Sequence, residues 1–207
     1  MDFVSARQNM VESQVRTNDV TDVEIQHAMR AVPRERFALP SREALAYADR
    51  AVEYAPGRFL LSPRDVGKLL QAVRPRRGER ALAIAAPYAA ALMGRMGLEV
   101  TALEAGEAEA HVRASLSGEG VQVSIGDLTR PSGRYDVIVC EGGVAEVPQA
   151  WLQALEEHGR LGVVIRRGAA GKATVYVRAG ETFGAREAFD AFPQFLQGFE
   201  PKPAFTL

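Results

Sequence analysis

The sequence predicts an α/β protein with a doubly wound, mostly parallel sheet behind an N-terminal helical segment. Four strand–helix steps follow one another between residues 80 and 165, which is typical of parallel strands joined by helices. The run Tyr135–Cys140 is almost continuously apolar, as expected of a strand buried on both faces. From Lys172 onward apolar and polar residues alternate, which predicts an antiparallel end to the sheet.

The N-terminal segment, residues 1–79, is predicted to be largely helical. Apolar residues between positions 4 and 16 share one helical face. A capping box follows, in which the Thr21 hydroxyl should accept a hydrogen bond from the Glu24 N–H. The helix that it begins should end before Pro33.

Ser62 and Pro63 predict the start of a further helix. Serine is favoured at the N-cap and proline at the first helical position. We therefore expect a single domain over residues 1–207, in which the helical segment packs on a Rossmann-like sheet formed by residues 80–207.

The stretch Arg80–Glu104 outlines a strand (Ala81–Ala85), a helix starting at Pro87 and a second strand ending on an acid. In nucleotide-binding sheets, an acid at about this distance from the first strand accepts hydrogen bonds from ribose hydroxyls. The glycine-rich turn expected between strand and helix is missing, since Ala85–Tyr88 stands in its place. The frame of a nucleotide site is therefore present without its usual turn.

The next strand, Tyr135–Cys140, is expected to end at a loop opened by Gly142 and Gly143. Pro148 should then begin a helix with His158 on its packed face. Ligands of such sheets bind at the carboxyl ends of the strands. The Ala85–Tyr88 turn, Glu104 and Asp127 are predicted to lie there.

Composition narrows the class of protein. The formal net charge of -1 gives no general attraction to nucleic acid or anionic membrane. No apolar run reaches the roughly 20 residues needed to span a bilayer, and the N-terminus lacks the pattern of a signal peptide. These features predict a cytoplasmic protein.

Metal and thiol chemistry are not expected. The histidines His27, His111 and His158 lie in separate segments without ligand spacing. The single cysteine, Cys140, ends an apolar strand and is expected to be a small buried hydrophobe.

The order of these segments resembles the protein-L-isoaspartate O-methyltransferase family, whose members use S-adenosylmethionine. The resemblance covers most of residues 8–165. It implies the class I methyltransferase fold, a protein or peptide substrate and methylation of isoaspartyl carboxylates, which begins their repair. The matching stretches are Ala31–Phe37, Ala46–Asp49, Gly57–Pro63, Arg80–Glu104, Gly126–Asp127, Tyr135–Ile138, Val147–Pro148, Leu155 and Gly159–Leu161.

The resemblance assigns cofactor roles to five residues. It implies that Glu104 holds the ribose hydroxyls and that Asp127 binds the adenine amino group. Ala85, Ala86 and Tyr88 would face the methionine end of the cofactor. The alternative for each acid is that it caps the following helix or meets water.

The turn departs from the family pattern. The family reads roughly E-I-G-x-G-S-G-Y, whereas this chain has Ala83-Ile-Ala-Ala-Pro-Tyr88, which lacks the acid and every glycine and is two residues shorter. Glycine allows positive φ and close approach of a ligand, while Pro87 removes an N–H donor. We therefore expect weak or absent binding of S-adenosylmethionine.

The acceptor side departs as well. The family carries roughly G-Q-x-I-S-Q-P, and alignment on Pro63 places its serine at Leu61, which has no hydroxyl. The neighbouring Ser62 is the candidate catalytic residue, and its alternative role is the helix N-cap.

Three hypotheses follow. The first is an isoaspartyl methyltransferase, and the second is a family member that has lost methyl transfer (a pseudoenzyme) and acts as a binding or regulatory protein. An NAD-dependent oxidoreductase ranks third, because it would need the same glycine turn for the pyrophosphate. The predicted partner is a protein or peptide, not nucleic acid, and the sequence is compatible with a homo-oligomer.

Overall fold

A seven-stranded sheet with helices on both faces forms the centre of the computed structural model, which describes residues 2–168 and 170–202. The α-helices are α1 (Phe3–Met10), α2 (Val23–Ala31), α3 (Pro63–Val73), α4 (Pro87–Arg95), α5 (Glu109–Ser115) and α6 (Gln149–Gln153). The strands are β1 (Val52–Ala55), β2 (Arg58–Leu60), β3 (Arg80–Ile84), β4 (Glu99–Glu104), β5 (Gln122–Ile125), β6 (Tyr135–Val144), β7 (Leu155–Arg167), β8 (Ala170–Ala179) and β9 (Thr182–Asp190).

The predicted fold class is confirmed by the order of the strands, β5-β4-β3-β6-β7-β8-β9. The pairs from β5 to β7 are parallel, and β8 and β9 add antiparallel. β3 lies in the interior of the sheet between the two apolar strands β4 and β6. β1 and β2 form a separate antiparallel hairpin.

The N-terminal segment is helical, as predicted, but its second helix is capped differently. Asp22, not Thr21, is the N-cap of α2, and its carboxylate accepts from the N–H groups of Glu24 (2.9 Å) and Ile25 (3.2 Å). The Thr21 N–H instead donates to the side chain of Gln71. The prediction was wrong by one residue because Asp22 directly precedes the helix and its short side chain reaches the first-turn amides.

The predicted loop at Gly142 and Gly143 is also wrong, since β6 continues through both to Val144. These glycines allow another segment of the chain to approach the strand closely. A Cβ on Gly142 would lie 3.0 Å from the Leu196 Cβ. The Gly143 N–H donates to the carbonyl of Gln194 at 2.8 Å.

The helix expected from Pro148 to His158 is much shorter. α6 ends at Gln153, and β7 begins at Leu155, which pairs with Tyr135. His158 therefore lies on a strand and is exposed. The last strand of the sheet, β9, ends at Asp190, and residues 203–207 lie outside the described part of the chain.

Within residues 2–168 and 170–202, no helix combines the length and apolar character needed to cross a membrane.

The start of α3 agrees with the predicted cap. The Ser62 hydroxyl accepts from the Asp65 N–H at 3.2 Å, and Pro63 occupies the first helical position. The cap role is thus confirmed, while a catalytic role for Ser62 stays a prediction.

The cap gives a direct test of Ser62. Ser62→Ala should lower the free energy of unfolding by about 0.5–2 kcal/mol, whereas Ser62→Asp should be tolerated because aspartate caps equally well. Urea denaturation of both variants measures this. Equal losses of stability in the two variants would contradict the cap role.

Candidate functional site

The turn after β3 adopts the backbone conformation that glycine favours, although it contains none. Ala85 has a φ of 46°, in the left-handed region, and its N–H donates to the Leu103 carbonyl at 3.0 Å. β3 therefore ends at Ile84, one residue earlier than predicted. Ala85 and Ala86 are both buried. Ala85 therefore carries backbone strain that a glycine at this position would not have.

Glu104 lies at the end of β4, and its carboxylate is already bound by the chain itself. The Tyr54 hydroxyl donates to Oε2 at 2.7 Å, and the Arg58 Nε donates to Oε1 at 3.2 Å. The N–H of Ala105 also donates to Oε1, at 3.0 Å. Glu104 is only 1% exposed, so neither expected alternative, a helix cap or contact with water, describes it.

The partners of Glu104 come from the β1–β2 hairpin, which folds over the end of β4. Tyr54 lies on β1 and Arg58 on β2, and both are buried. Burial, followed by the adjacent Glu104 carboxylate, raises the pKa of Tyr54 well above its ordinary value, so the hydroxyl stays protonated as a donor. Removing one member of a buried ion pair typically costs about 3–5 kcal/mol. The hairpin is therefore firmly held to the sheet.

A pocket of about 350 Å³ lies beside this ion pair. Its walls include Arg58 and residues 105–108, but Glu104 is not among them. Arg58 thus separates the pocket from the acid that was expected to bind ribose.

Asp127 follows β5 and is exposed. Its Oδ1 accepts from both the N–H and the hydroxyl of Thr129, at 2.8 and 2.7 Å. The hydroxyl hydrogen bond is the main cause of a lowered Asp127 pKa. Its local contacts are those of a turn-forming acid, and the adenine role remains a prediction.

Tyr88 is buried within the N-terminal core instead of facing an open cleft. Its ring lies edge-on to Phe37, with centroids 5.6 Å apart, and beneath the Arg34 guanidinium, 4.7 Å from the ring centroid. Burial raises the pKa of Tyr88 far above its ordinary value.

A second buried acid, Glu141 on β6, was missed by the sequence analysis. Its Oε2 accepts from the Leu61 N–H at 2.8 Å, and its Oε1 accepts from the Ala89 N–H at 2.9 Å. Burial raises the Glu141 pKa, while the positive charge of Arg34 opposes that change. An acid ending an apolar strand, as in Glu104, was the available signal, but the following glycines suggested a loop.

Leu61, which the family resemblance aligns with the serine position, is hydrogen-bonded through its backbone to two buried ionisable side chains. Its N–H donates to Glu141, and its carbonyl accepts from Arg34. Ser62, the candidate catalytic residue, borders a different pocket of about 230 Å³ together with Arg64 and Phe192. The predicted site residues therefore do not converge on one cavity.

Two further observations concern metal ligands and the single cysteine. The described residues contain no cluster of histidine, cysteine and acidic side chains suited to a metal ion. Cys140 is fully buried, as predicted, and burial raises its pKa.

The mostly parallel sheet, its flanking helices and the N-terminal helical segment define the Rossmann-like fold of class I S-adenosylmethionine-dependent methyltransferases. The profile of the family described as protein-L-isoaspartate(D-aspartate) O-methyltransferase matches residues 5–186. The chain therefore belongs to the protein-L-isoaspartate O-methyltransferase family.

Relatives support the assignment. The protein-L-isoaspartate O-methyltransferase of Methylorubrum extorquens is 34% identical over 169 residues, covering 77% of this chain and 74% of the relative. Protein-L-isoaspartate O-methyltransferase 1 of Rhodopseudomonas palustris is 34% identical over 168 residues, covering 77% and 69%.

Two solved structures share the fold. A protein-L-isoaspartate O-methyltransferase superposes with a TM-score of 0.74 at 22% identity, over 93% of this chain but only 66% of that chain. A Plasmodium falciparum protein described as the same enzyme, in complex with S-adenosyl-L-homocysteine, gives a TM-score of 0.72 at 16% identity, over 95% and 99%.

The strained turn makes a prediction about stability. Ala85→Gly should change the free energy of unfolding by less than about 0.5 kcal/mol, because relief of the left-handed strain offsets the lost methyl and the added chain entropy. The control Ala83→Gly, in the extended and buried interior of β3, should cost about 1.5 kcal/mol. Denaturant unfolding compares them, and equal costs would show that Ala85 is unstrained.

Proposed function

We propose that this family member binds S-adenosylmethionine weakly or not at all, does not methylate isoaspartyl residues and acts as a binding or regulatory protein. The observation that carries the proposal is the buried Glu104 carboxylate, which already accepts from Tyr54 and Arg58. Because Glu104 is only 1% exposed, ribose hydroxyls could reach that carboxylate only if the hairpin that covers it moved.

The energetic cost is large on the scale of ligand binding. A hydrogen bond to a charged group contributes about 1.5–3 kcal/mol. Ribose would compete with two such hydrogen bonds to Glu104, those from Tyr54 and Arg58. A net loss of about 3 kcal/mol weakens binding more than a hundredfold. The residues of this edge, arranged in this way, do not fit the nucleoside.

The turn adds a second obstacle, at the methionine end. The methyl groups of Ala85 and Ala86 fill space that glycine would leave open, and both are buried. Pro87 opens α4 without an N–H to offer. The acceptor side is also incomplete, because Leu61 has no hydroxyl.

The second candidate is an active isoaspartyl O-methyltransferase. It is favoured by relatives of that name at 34% identity over about three quarters of this chain. Activity would require the hairpin to release Glu104 when cofactor and a protein or peptide substrate bind. Ser62 would then be the candidate acceptor-side residue, and Asp127 the adenine contact.

Calorimetric titration separates the two candidates. We expect a dissociation constant on the order of 1 mM or weaker for S-adenosylmethionine and S-adenosylhomocysteine, and no methyl transfer to an isoaspartyl peptide. The matched control is a family member whose turn carries the glycines, titrated under the same conditions. Low-micromolar binding with peptide methylation would favour the active enzyme instead.

A further inference from the structure

Helix α4 begins without a capping side chain of its own. Its N-cap residue, Ala86, has no side-chain acceptor, and its first helical residue, Pro87, has no backbone N–H. The first turn of a helix still presents unsatisfied N–H groups and a partial positive charge. In nucleotide-binding α/β proteins, this position at the end of the first strand receives an anionic group of the ligand.

In this chain the anion comes from the protein. The Glu141 carboxylate, from the neighbouring strand β6, accepts the Ala89 N–H of that first turn at 2.9 Å. Its other oxygen accepts the Leu61 N–H. Burial raises the Glu141 pKa, and the nearby positive charge of Arg34 acts against that rise. Glu141 is 1% exposed, so no other anion can share the position.

The end of β4, on the other side of β3 from Glu141, shows the same arrangement with the roles reversed. There the acid is the expected ligand-binding group, and the chain supplies the donors. The Tyr54 hydroxyl takes one oxygen of Glu104, and the Arg58 guanidinium takes the other. At Glu104 and at the start of α4, protein groups therefore make the hydrogen bonds that groups of a bound ligand would make.

We propose that this edge of the sheet binds its own side chains: Tyr54 and Arg58 stand in for ribose hydroxyls on Glu104, and Glu141 stands in for a ligand carboxylate at α4. These three side chains are then the specificity determinants that exclude S-adenosylmethionine. The inference rests on the proposed function, because it explains why cofactor binding is weak.

Binding to S-adenosylhomocysteine tests the proposal. The triple variant Tyr54→Phe, Arg58→Gln, Glu141→Ala should bind at least about tenfold more tightly than the wild type, a gain of about 1.4 kcal/mol. Arg58→Gln alone keeps a donor and leaves Glu141 in place, so it should fold and gain part of this affinity. Glu146→Ala, which removes an exposed acid, is the control and should change nothing.

The outcomes separate the two proposals. Tight wild-type binding, at about 10 μM or below, would overturn both the proposed function and this inference. Weak wild-type binding with no gain in the triple and Arg58→Gln variants would overturn this inference alone. Weak wild-type binding with the expected gain supports both.

A second measurement examines Glu141 without the cofactor. Glu141→Ala leaves two N–H donors and a neighbouring arginine around an empty carboxylate position, so 100 mM acetate should bind there, a concentration chosen on the order of weak carboxylate affinities. Relative to sodium chloride of equal ionic strength, acetate should raise the Tm of Glu141→Ala by about 1–2 °C. The wild type and Glu146→Ala should show no such difference.

If Glu141→Ala is unfolded in chloride, the same comparison is made on the folded fraction by circular dichroism. Recovery of folded protein by acetate supports the assignment of Glu141. An absence of any acetate effect on Tm or folded fraction would overturn it.

Discussion

The buried ion pair between Arg58 and Glu104 joins the β1–β2 hairpin to the end of β4. It fixes the β1–β2 hairpin over the carboxyl edge of the sheet, where ligands of this fold bind. A charged carboxylate is stable at 1% exposure only when its charge is compensated and its oxygens accept hydrogen bonds. Tyr54 and Arg58 meet that requirement here.

The position of Glu141 at the start of α4 follows from the same electrostatic requirement. A helix that starts with Ala86 and Pro87 has no cap of its own, and Glu141 supplies one from the adjacent strand. Glu141 in turn needs a positive neighbour, which is the buried Arg34. In the proposed function, the alanine turn and the buried side chains around it support one another.

Much of the fold could be predicted from the sequence because apolar periodicity and turn residues act locally. The strand–helix–strand unit ending on Glu104 and the cap at Ser62 are examples. The partners of Glu104 could not be predicted, because Tyr54 and Arg58 lie 50 and 46 residues earlier in the chain. Glu141 was missed because the glycines after it suggest a loop until Leu196 is seen to pack against them.

The most direct measurement is a crystal structure grown in the presence of saturating S-adenosylhomocysteine. The Arg58 Nε should remain within hydrogen-bonding distance of Glu104, and the Glu141 carboxylate should remain on the Ala89 N–H. No nucleoside should contact Glu104. The opposite result would be a structure in which ribose hydroxyls bind Glu104, Arg58 points to solvent and the ligand carboxylate lies at α4. It would contradict the proposal that this edge of the sheet binds its own side chains.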